Sequence, residues 1–226
     1  MSNVPTSVGV IMDGNRRFAK ENGVPQLEGH RLGLEKVREL ADWAQEAGVK
    51  EIILYAFSTE NWNRSKEEVE YLMNLFEESF DTFAKDLEKK EVKIRFIGQR
   101  ERLPETLQRK MQEAEEKTKK GTKGIFTVAI SYGGRAEIVA ATNVLLASGV
   151  TSVDEEGFRA AMWTADLAYP DIIIRTGGDQ RLSNFLAWQS AYSELFFPKT
   201  KWPGFTKEEF DSILADYASR ERRLGK

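Results

Sequence analysis

The sequence contains no cysteine among its 226 residues and only one histidine, His30. The missing cysteines exclude disulfide bonds, thiolate nucleophiles and cysteine-bound zinc, and a single histidine cannot build a zinc cluster. The chain also lacks an excess of positive charge, because 33 basic residues face 36 acidic ones and the net charge is -3. We therefore expect no nucleic-acid partner.

Long apolar runs are absent as well. No run reaches the ~18 residues of a membrane-spanning helix, and residues 1–6 have neither the basic start nor the apolar core of a signal peptide. No stretch has the composition of an interdomain linker. We expect a soluble, cytoplasmic protein with one domain over residues 1–226.

Short apolar runs alternate with helical patterns along the chain. Strands are expected at residues 8–12, 52–57, 92–97, 126–130 and 172–174. Helical stripes of apolar residues cover 34–44 and 69–87. This alternation predicts an α/β fold with a mainly parallel central sheet flanked by helices.

Three helix starts are predicted from capping boxes, which pair a hydroxyl with a carboxylate three positions later. The pairs are Ser65 with Glu68, Ser152 with Glu155, and Thr206 with Glu209.

The loop after the first strand begins with Asp13 and Gly14. A carboxylate at the end of a buried strand is costly to desolvate unless it is paired or binds a cation, so a Mg2+ role is one interpretation. The following helix start offers amide groups to an anion. The alternative is a simple helix cap.

The loop after the second strand combines Ser58, Asn61, Trp62 and Arg64 into a polar wall with one aromatic surface. The alternative for Trp62, and the more common one for a tryptophan, is to fill the core. His30, which we expect just before a helix, is either a cap or surface group or a part of the site near Asp13.

The loop after the last predicted strand holds Arg175, Arg181 and Ser183 around a Gly177-Gly178 turn. Glycines let the backbone approach a ligand closely, and arginine forks match phosphate oxygens. The alternative is an ordinary polar turn. No P-loop motif, Gly-x-Ser-x-Gly elbow or Asp-Asp-x-x-Asp cluster occurs, which argues against P-loop nucleotide binding, α/β-hydrolase chemistry and multiple aspartate-bound Mg2+ ions.

Five sequence blocks carry a family resemblance. They are MDGNRR (12–17), GHRLG (29–33), YAFSTENWNR (55–64), SYGGRAEI (131–138) and RTGGDQRLSNFLAWQ (175–189). Together they resemble the cis-prenyltransferases, with undecaprenyl diphosphate synthase as the bacterial type. The resemblance implies a homodimeric transferase of isoprenoid biosynthesis. It would use Mg2+ to condense an allylic diphosphate with isopentenyl diphosphate into a Z-configured prenyl diphosphate, and a long lipid product would allow a peripheral membrane contact.

The resemblance also implies residue roles. Asp13 would bind Mg2+ together with Glu194, and Asn61 would lie at the proton-acceptor position. The residues expected at the allylic diphosphate are Gly14, Asn15, Arg16, Arg17, Gln26, His30 and Arg64, with Phe18 and Trp62 along the prenyl chain. Those expected at isopentenyl diphosphate are Arg175, Arg181 and Ser183. Ser58, Thr59, Glu60 and Leu182 are expected as further substrate contacts, and Arg223 and Gly225 as a tail that crosses the dimer interface.

Gln26 departs from the family pattern, because an arginine that grips the allylic diphosphate usually occupies this position. Phe18 also stands where tryptophan or tyrosine is common. These departures keep an irregular or short-chain prenyl diphosphate synthase open as an alternative, beside a non-catalytic partner subunit. The apolar residues of the long helix are expected to line the product tunnel or to pack in the core; they are Leu72, Leu75, Phe76, Phe80 and Phe83.

Overall fold

A computed structural model describes residues 4–220, and these residues build a six-stranded, all-parallel sheet. The strands are β1 (Ser7–Ile11), β2 (Glu51–Ser58), β3 (Val92–Ile97), β4 (Gly124–Tyr132), β5 (Ile172–Arg175) and β6 (Glu194–Phe196). Their order across the sheet is β3-β4-β2-β1-β5-β6. The predicted single-domain α/β fold is confirmed.

Seven helices accompany the sheet in the described range. They are α1 (Asn15–Glu21), α2 (Gln26–Ala47), α3 (Lys66–Lys89), α4 (Glu105–Thr118), α5 (Gly134–Ala147), α6 (Glu155–Ala160) and α7 (Lys207–Ser219). Within residues 4–220, none of them combines the length and the apolar character that crossing a bilayer would require.

Alternating side chains divide the sheet between two apolar layers. Ile52 and Leu54 of β2 belong to the larger cluster, which also contains residues of α2, α3, α4 and α7. Ile53 and Tyr55 belong to a smaller cluster with Phe185. Because successive strand residues point to opposite faces, a run of apolar residues is what a sheet covered on both sides requires.

The five predicted strands are confirmed to within a few residues, and both helical stripes lie in helices. The short edge strand β6 was missed. Its three residues are too few to give a periodic signal.

His30 was expected before a helix, which was wrong, because it lies inside α2, which begins at Gln26. Gly29 and Gly33 are poor helix formers, but inside α2 they allow α1 to pack closely on this helix. A Cβ on Gly29 would collide with the backbone oxygen of Asn15.

The capping predictions had mixed outcomes. Thr206 and Glu209 form the full reciprocal box, as predicted. Ser65 accepts the backbone N–H of Glu68, but the Glu68 carboxylate is bonded elsewhere. The Ser152 prediction was wrong, because Asp154 caps α6 by accepting a hydrogen bond from the Gly157 amide.

Candidate active site

Three loops meet at the carboxyl edge of the sheet, where ligands of parallel sheets bind. They follow β1, β2 and β5, and these strands are neighbours because Ile11 pairs with Tyr55 on one side and with Arg175 on the other. The predicted convergence of the three loops is therefore a direct result of strand order.

Gly14 shapes the loop after β1. Its φ of 108° is a left-handed conformation that favours glycine, and it lies directly before α1. A Cβ at this position would also approach the Cβ of Lys201 to 2.7 Å. Gly14 thus allows the chain to turn from β1 into α1 in close contact with Lys201.

Asp13 is tied to the loop after β5 through Arg175. The Nη2 of Arg175 donates to Oδ2 of Asp13 at 2.8 Å, and its Nη1 donates to the hydroxyl of Ser183 at 2.6 Å. Arg175 is 4% exposed. Burial tends to raise the pKa of the Asp13 carboxyl, but the hydrogen bonds and charges of Arg175 and Arg17 outweigh it and lower that pKa. Asp13 is therefore a carboxylate at neutral pH.

Asp179 adds a second carboxylate to this cluster. Its Oδ2 lies 3.4 Å from Nη2 of Arg17, 3.2 Å from Nη2 of Arg181 and 3.9 Å from Nη2 of Arg175. Arg17 also lies 3.1 Å from Oδ1 of Asp13. Arg17 and Arg175 are thus shared between the two carboxylates, whereas Arg181 contacts Asp179 alone.

The loop after β5 has unusual backbone angles. Ser183 and Asn184 adopt φ values of 48° and 66° without being glycine. The side chain of Asn184 accepts from the Arg135 amide at 2.9 Å and donates to Glu60 at 2.9 Å, which helps to hold this strained turn. Within residues 4–220, the buried Nε of Arg175 has no acceptor, so it keeps a donor free.

Glu68 organises the second polar group of the site. Its buried carboxylate lies 3.2 Å from Nε2 of His30 and 3.1 Å from Nη1 of Arg64, and it accepts from the Gln26 amide at 3.2 Å. Arg16 approaches it to 4.0 Å. Helix α3 thereby fixes side chains that α2 and the loop after β2 present.

The buried position of His30 has an electrostatic consequence. Burial is the largest cause that lowers its pKa, and the nearby charge of Arg64 lowers it further, while Glu68 opposes both. Burial likewise lowers the pKa of Arg64 from its very high ordinary value, aided by Arg16. His30 is thus held neutral and acts as a hydrogen-bonding group rather than a cation.

Asn61 belongs to a short 3-10 helix, Thr59–Asn63. Its Oδ1 accepts from the Ser58 backbone N–H at 3.1 Å, while the Ser58 hydroxyl accepts from the Asn61 backbone N–H. This reciprocal cap fixes the side chain at the strand end and leaves its amide N–H groups as donors. Its place at a proton-acceptor position remains a prediction.

These groups surround two recesses and one cavity. The Arg16 recess has a volume of about 660 Å³; its lining includes Asp13, Gly14, Asn15, Arg16, Arg17, Lys20, Gln26, His30 and Arg64. The Arg181 recess, of about 640 Å³, is lined by residues that include Asp13, Asn15, His30, Ser58, Glu60, Asn61, Arg64, Arg135, Arg175, Arg181, Ser183 and Asn184.

The apolar cavity, of about 70 Å³, lies between α2, α3 and the sheet. All five residues proposed for the tunnel line it, namely Leu72, Leu75, Phe76, Phe80 and Phe83. Four of them, all except Leu75, are also members of the buried core, as the core-packing alternative requires, while the role of this cavity as a product tunnel stays a prediction.

Other predicted residues lie outside these linings. Trp62 donates to the Ser131 hydroxyl at 2.9 Å and packs edge-on against Phe57, as a core residue does. Leu182 packs against the smaller apolar cluster, the Thr59 hydroxyl donates to Glu60, and Phe18 lies close to Gly204.

Glu194 pairs in register with Ile172, near the amino end of β5, and its carboxylate accepts from Arg220 at 2.7 Å. Within one chain it is therefore separated from the Asp13 edge. Its metal role remains a prediction, and Arg223 and Gly225 lie outside the described residues.

Asp13 suits a magnesium ion that is held largely by substrate oxygens. Residues 4–220 contain no group of three or more carboxylates and histidines placed to hold a metal. Mg2+ commonly binds one or two protein carboxylates together with phosphate oxygens. Asp13 is ionised and partly open to solvent, so the residues fit such an ion.

Sequence reasoning missed Asp179, Glu68, Arg135 and Asn184 as site residues. Asp179, Arg135 and Asn184 lie in blocks that were recognised, but an acidic residue in an anion-binding loop gave no reason to select Asp179. Glu68 was interpreted as a capping residue, because its spacing from Ser65 matches that motif.

Comparison with known proteins gives a consistent result. Residues 11–225 match the model of the family described as "Putative undecaprenyl diphosphate synthase". An "Isoprenyl transferase" of Thermotoga maritima is 45% identical, over 98% of this chain and 97% of that protein. A "Tritrans,polycis-undecaprenyl-diphosphate synthase (geranylgeranyl-diphosphate specific)" of Methanocaldococcus jannaschii is 44% identical, over 99% of this chain and 84% of its own length.

A solved structure is also closely similar. Lavandulyl diphosphate synthase from Lavandula x intermedia, in complex with dimethylallyl diphosphate, superposes with a TM-score of 0.94 at 33% identity, over 99% of both chains. The site geometry, the family match and these relatives agree. The chain belongs to the undecaprenyl diphosphate synthase family of cis-prenyltransferases and is a prenyl-transferring enzyme of isoprenoid biosynthesis.

Proposed function

We propose that this enzyme condenses an allylic diphosphate with isopentenyl diphosphate, with Mg2+, to give a Z-configured prenyl diphosphate. One observation carries the proposal. Both polar recesses meet the apolar cavity at the same three residues, Met12, Asn15 and His30. Two phosphate-binding positions and one hydrocarbon channel are what a condensation of two prenyl diphosphates requires.

The Arg16 recess suits the allylic diphosphate. It presents Arg16, Arg17, Lys20 and Arg64, and it opens toward the apolar cavity that would receive the prenyl chain. Because Glu68 is already bonded to Arg64, that guanidinium is positioned rather than free to rotate. Arginine forks in such fixed positions match phosphate oxygens well.

The Arg181 recess suits isopentenyl diphosphate. Arg181, from the loop after β5, and Arg135, from the first turn of α5, line it, and Ser183 adds a hydroxyl. Arg175 is buried behind them, where its bonds to Asp13 and Ser183 link the two recesses. We assign Arg175 to positioning Asp13 and Ser183.

The charge on two diphosphates explains the number of cations. Two unit charges about 8 Å apart repel by about 2 kcal/mol at an effective dielectric of about 20, and each diphosphate carries several charges. Arg16, Arg17 and Arg64 on one side and Arg181 on the other reduce this repulsion. They also stabilise charge that develops on the leaving diphosphate as its bond to C1 breaks.

Mg2+ would be held by Asp13 together with diphosphate oxygens, and when bound it would neutralise part of the leaving group's charge. The double bond of isopentenyl diphosphate attacks C1 of the allylic substrate, and a proton leaves C2. Asn61 lies in the lining of the Arg181 recess, where its side chain would face that substrate.

A second copy of the chain is the proposed partner. On α5, Val139 and Leu146 are 59% and 66% exposed and lie two turns apart on one helix face. Exposed apolar side chains of this kind are typical of subunit contacts. Light scattering of the wild type should give a dimer mass, and V139E with L146E should give a monomer; a monomeric wild type would refute the proposal.

Irregular coupling is a second candidate. The support is Gln26, a neutral side chain in the Arg16 recess, together with the similarity to a lavandulyl diphosphate synthase bound to dimethylallyl diphosphate. Two five-carbon allylic substrates would then be joined without isopentenyl diphosphate.

One experiment separates the candidates. Purified enzyme with Mg2+ is given allylic diphosphates of five to twenty carbons, each with and without isopentenyl diphosphate, and products are identified by mass spectrometry and NMR. We expect chains extended by five-carbon units only when isopentenyl diphosphate is present. Product from dimethylallyl diphosphate alone would support irregular coupling, and no turnover would indicate a non-catalytic subunit.

A further inference from the structure

The last residue that α2 contributes to the lining of the apolar cavity is charged. Arg38 of α2 is part of the lining, together with Ser79 and Phe83 of α3. We propose that Arg38, held by Asp86 and Thr82 of α3, is a latch that sets how long a hydrocarbon chain the cavity accepts. This inference rests on the proposed function, since that function places a prenyl chain in this cavity.

The latch consists of two hydrogen bonds between α2 and α3. Nη1 of Arg38 donates to Asp86 at 3.0 Å, and Nη2 donates to the Thr82 hydroxyl at 2.6 Å. The side chains of Arg38 and Asp86 are 41% and 38% exposed. An arginine at such a rim keeps its charged end in water while its carbon stem covers apolar surface.

Between His30 and Arg38, the surface that a hydrocarbon chain would contact is almost entirely apolar. The buried hydroxyl of Ser79 is already used, because it donates to the backbone oxygen of Phe76. A chain that grows along α2 and α3 therefore meets apolar surface until it reaches the Arg38 guanidinium.

Helix geometry gives the length of this track. Arg38 follows His30, at the polar end, by eight residues of α2, which is about 12 Å at 1.5 Å per residue. With carbon–carbon bonds of about 1.5 Å, 12 Å corresponds to about ten carbons of a saturated chain or about three five-carbon prenyl units. Longer chains must pass Arg38.

The cavity must widen when a chain enters. Its volume of about 70 Å³ is below the roughly 150 Å³ of a cavity that binds benzene. Widening moves α2 away from α3, and the Arg38 bonds tie these helices at the end of the track. A second tie, between Asp42 of α2 and Lys90, lies beyond it and outside the cavity lining. Breaking the latch should therefore extend the track.

The test uses n-alkyl phosphates of six to eighteen carbons, which cannot react because they are not allylic. Each added methylene that is buried should tighten binding about fourfold, equivalent to about 0.8 kcal/mol. For the wild type, we expect the dissociation constant to stop falling near ten carbons. In R38A it should continue to fall, so that two carbons beyond that point R38A binds about sixteenfold more tightly than the wild type.

Three further variants make the result specific. We call the chain length at which the dissociation constant stops falling the break. D86N removes the carboxylate partner while it leaves Arg38 in place, and it should also move the break to longer chains. K90A breaks the other tie, and R31A removes an exposed α2 arginine that pairs with Glu28 and Glu35 outside the lining. Both of these should keep the wild-type break.

An unchanged break in both R38A and D86N would overturn the latch, and so would an equal shift in K90A or R31A. Turnover gives a separate reading, because R38A should shift products toward longer chains if the enzyme extends prenyl diphosphates. If no variant turns over any substrate, the proposed function fails, while the alkyl phosphate series still decides whether Arg38 limits chain length.

Discussion

Replacing Gln26 by arginine tests the charge balance of the Arg16 recess. Gln26 is exposed at the start of α2, and its Nε2 donates to Oε2 of Glu68 at 3.2 Å. An arginine here would still reach Glu68 and would bring a further positive charge beside Arg16 and Arg64. We therefore expect Q26R to bind an allylic diphosphate more tightly than the wild type.

The magnitude follows from the bonds involved. A hydrogen bond to a charged group contributes about 1.5 to 3 kcal/mol, against about 0.5 to 1.5 for a neutral one. Exposure to solvent and competition from Glu68 favour the low end of that range. A net gain of about 1 kcal/mol corresponds to about fivefold in the dissociation constant. Because the site is exposed, the gain should shrink as salt rises.

The measurement is calorimetric titration with a non-hydrolysable thiolo analogue of a fifteen-carbon allylic diphosphate, at low and at high salt. Q26L is the matched control, since it keeps a similar size without the amide, and it should not bind more tightly than the wild type. Unchanged or weaker binding by Q26R would refute the reasoning and show that Glu68 neutralises any charge placed at this position.

Three other predictions test the site and its support. D13N keeps the size of Asp13 and one of its two acceptor oxygens but removes its charge, so turnover with Mg2+ in steady-state assays should fall at least about a hundredfold, as for loss of a key electrostatic group; near-normal turnover would contradict the metal assignment. The pKa of His30 is lower in the folded chain than in the unfolded chain, so the unfolded chain binds more protons as the pH falls below 6.5. The free energy of unfolding of the wild type should therefore decrease by up to about 1.4 kcal/mol per pH unit in that range. Urea unfolding of H30Q should show a shallower decrease. Y132F removes a 2.6 Å hydrogen bond to the buried Glu137 carboxylate and should cost about 1.5 to 3 kcal/mol in urea unfolding at constant m-value, whereas Y192F, at a side chain that is 76% exposed, should change little; equal effects would contradict the expectation that this buried hydrogen bond stabilises the fold.

The sheet could be predicted because its information is local. Each of the first five strands is a run of apolar residues, and the loops that follow three of them carry glycine and arginine in recognisable blocks. Strand order then brings those loops together without further information. By contrast, β6 is three residues long and gives no such signal.

Several site contacts depend on tertiary structure. Glu68 has the spacing of a capping residue, and nothing in its local sequence tells that its carboxylate turns inward to His30 and Arg64. Trp62 was open to two interpretations, a substrate contact or core filling, and its hydrogen bond to Ser131 and its packing on Phe57 favour the core. Such choices are made by neighbours distant in sequence.

The geometry of the newly formed double bond tests the central proposal most directly. The wild-type enzyme with Mg2+, a fifteen-carbon allylic diphosphate and carbon-13-labelled isopentenyl diphosphate should give an extended diphosphate whose new double bond is Z by NMR. An E double bond, or no extension while the fold is intact, would contradict the assignment of the two recesses and the apolar cavity to a Z-type condensation.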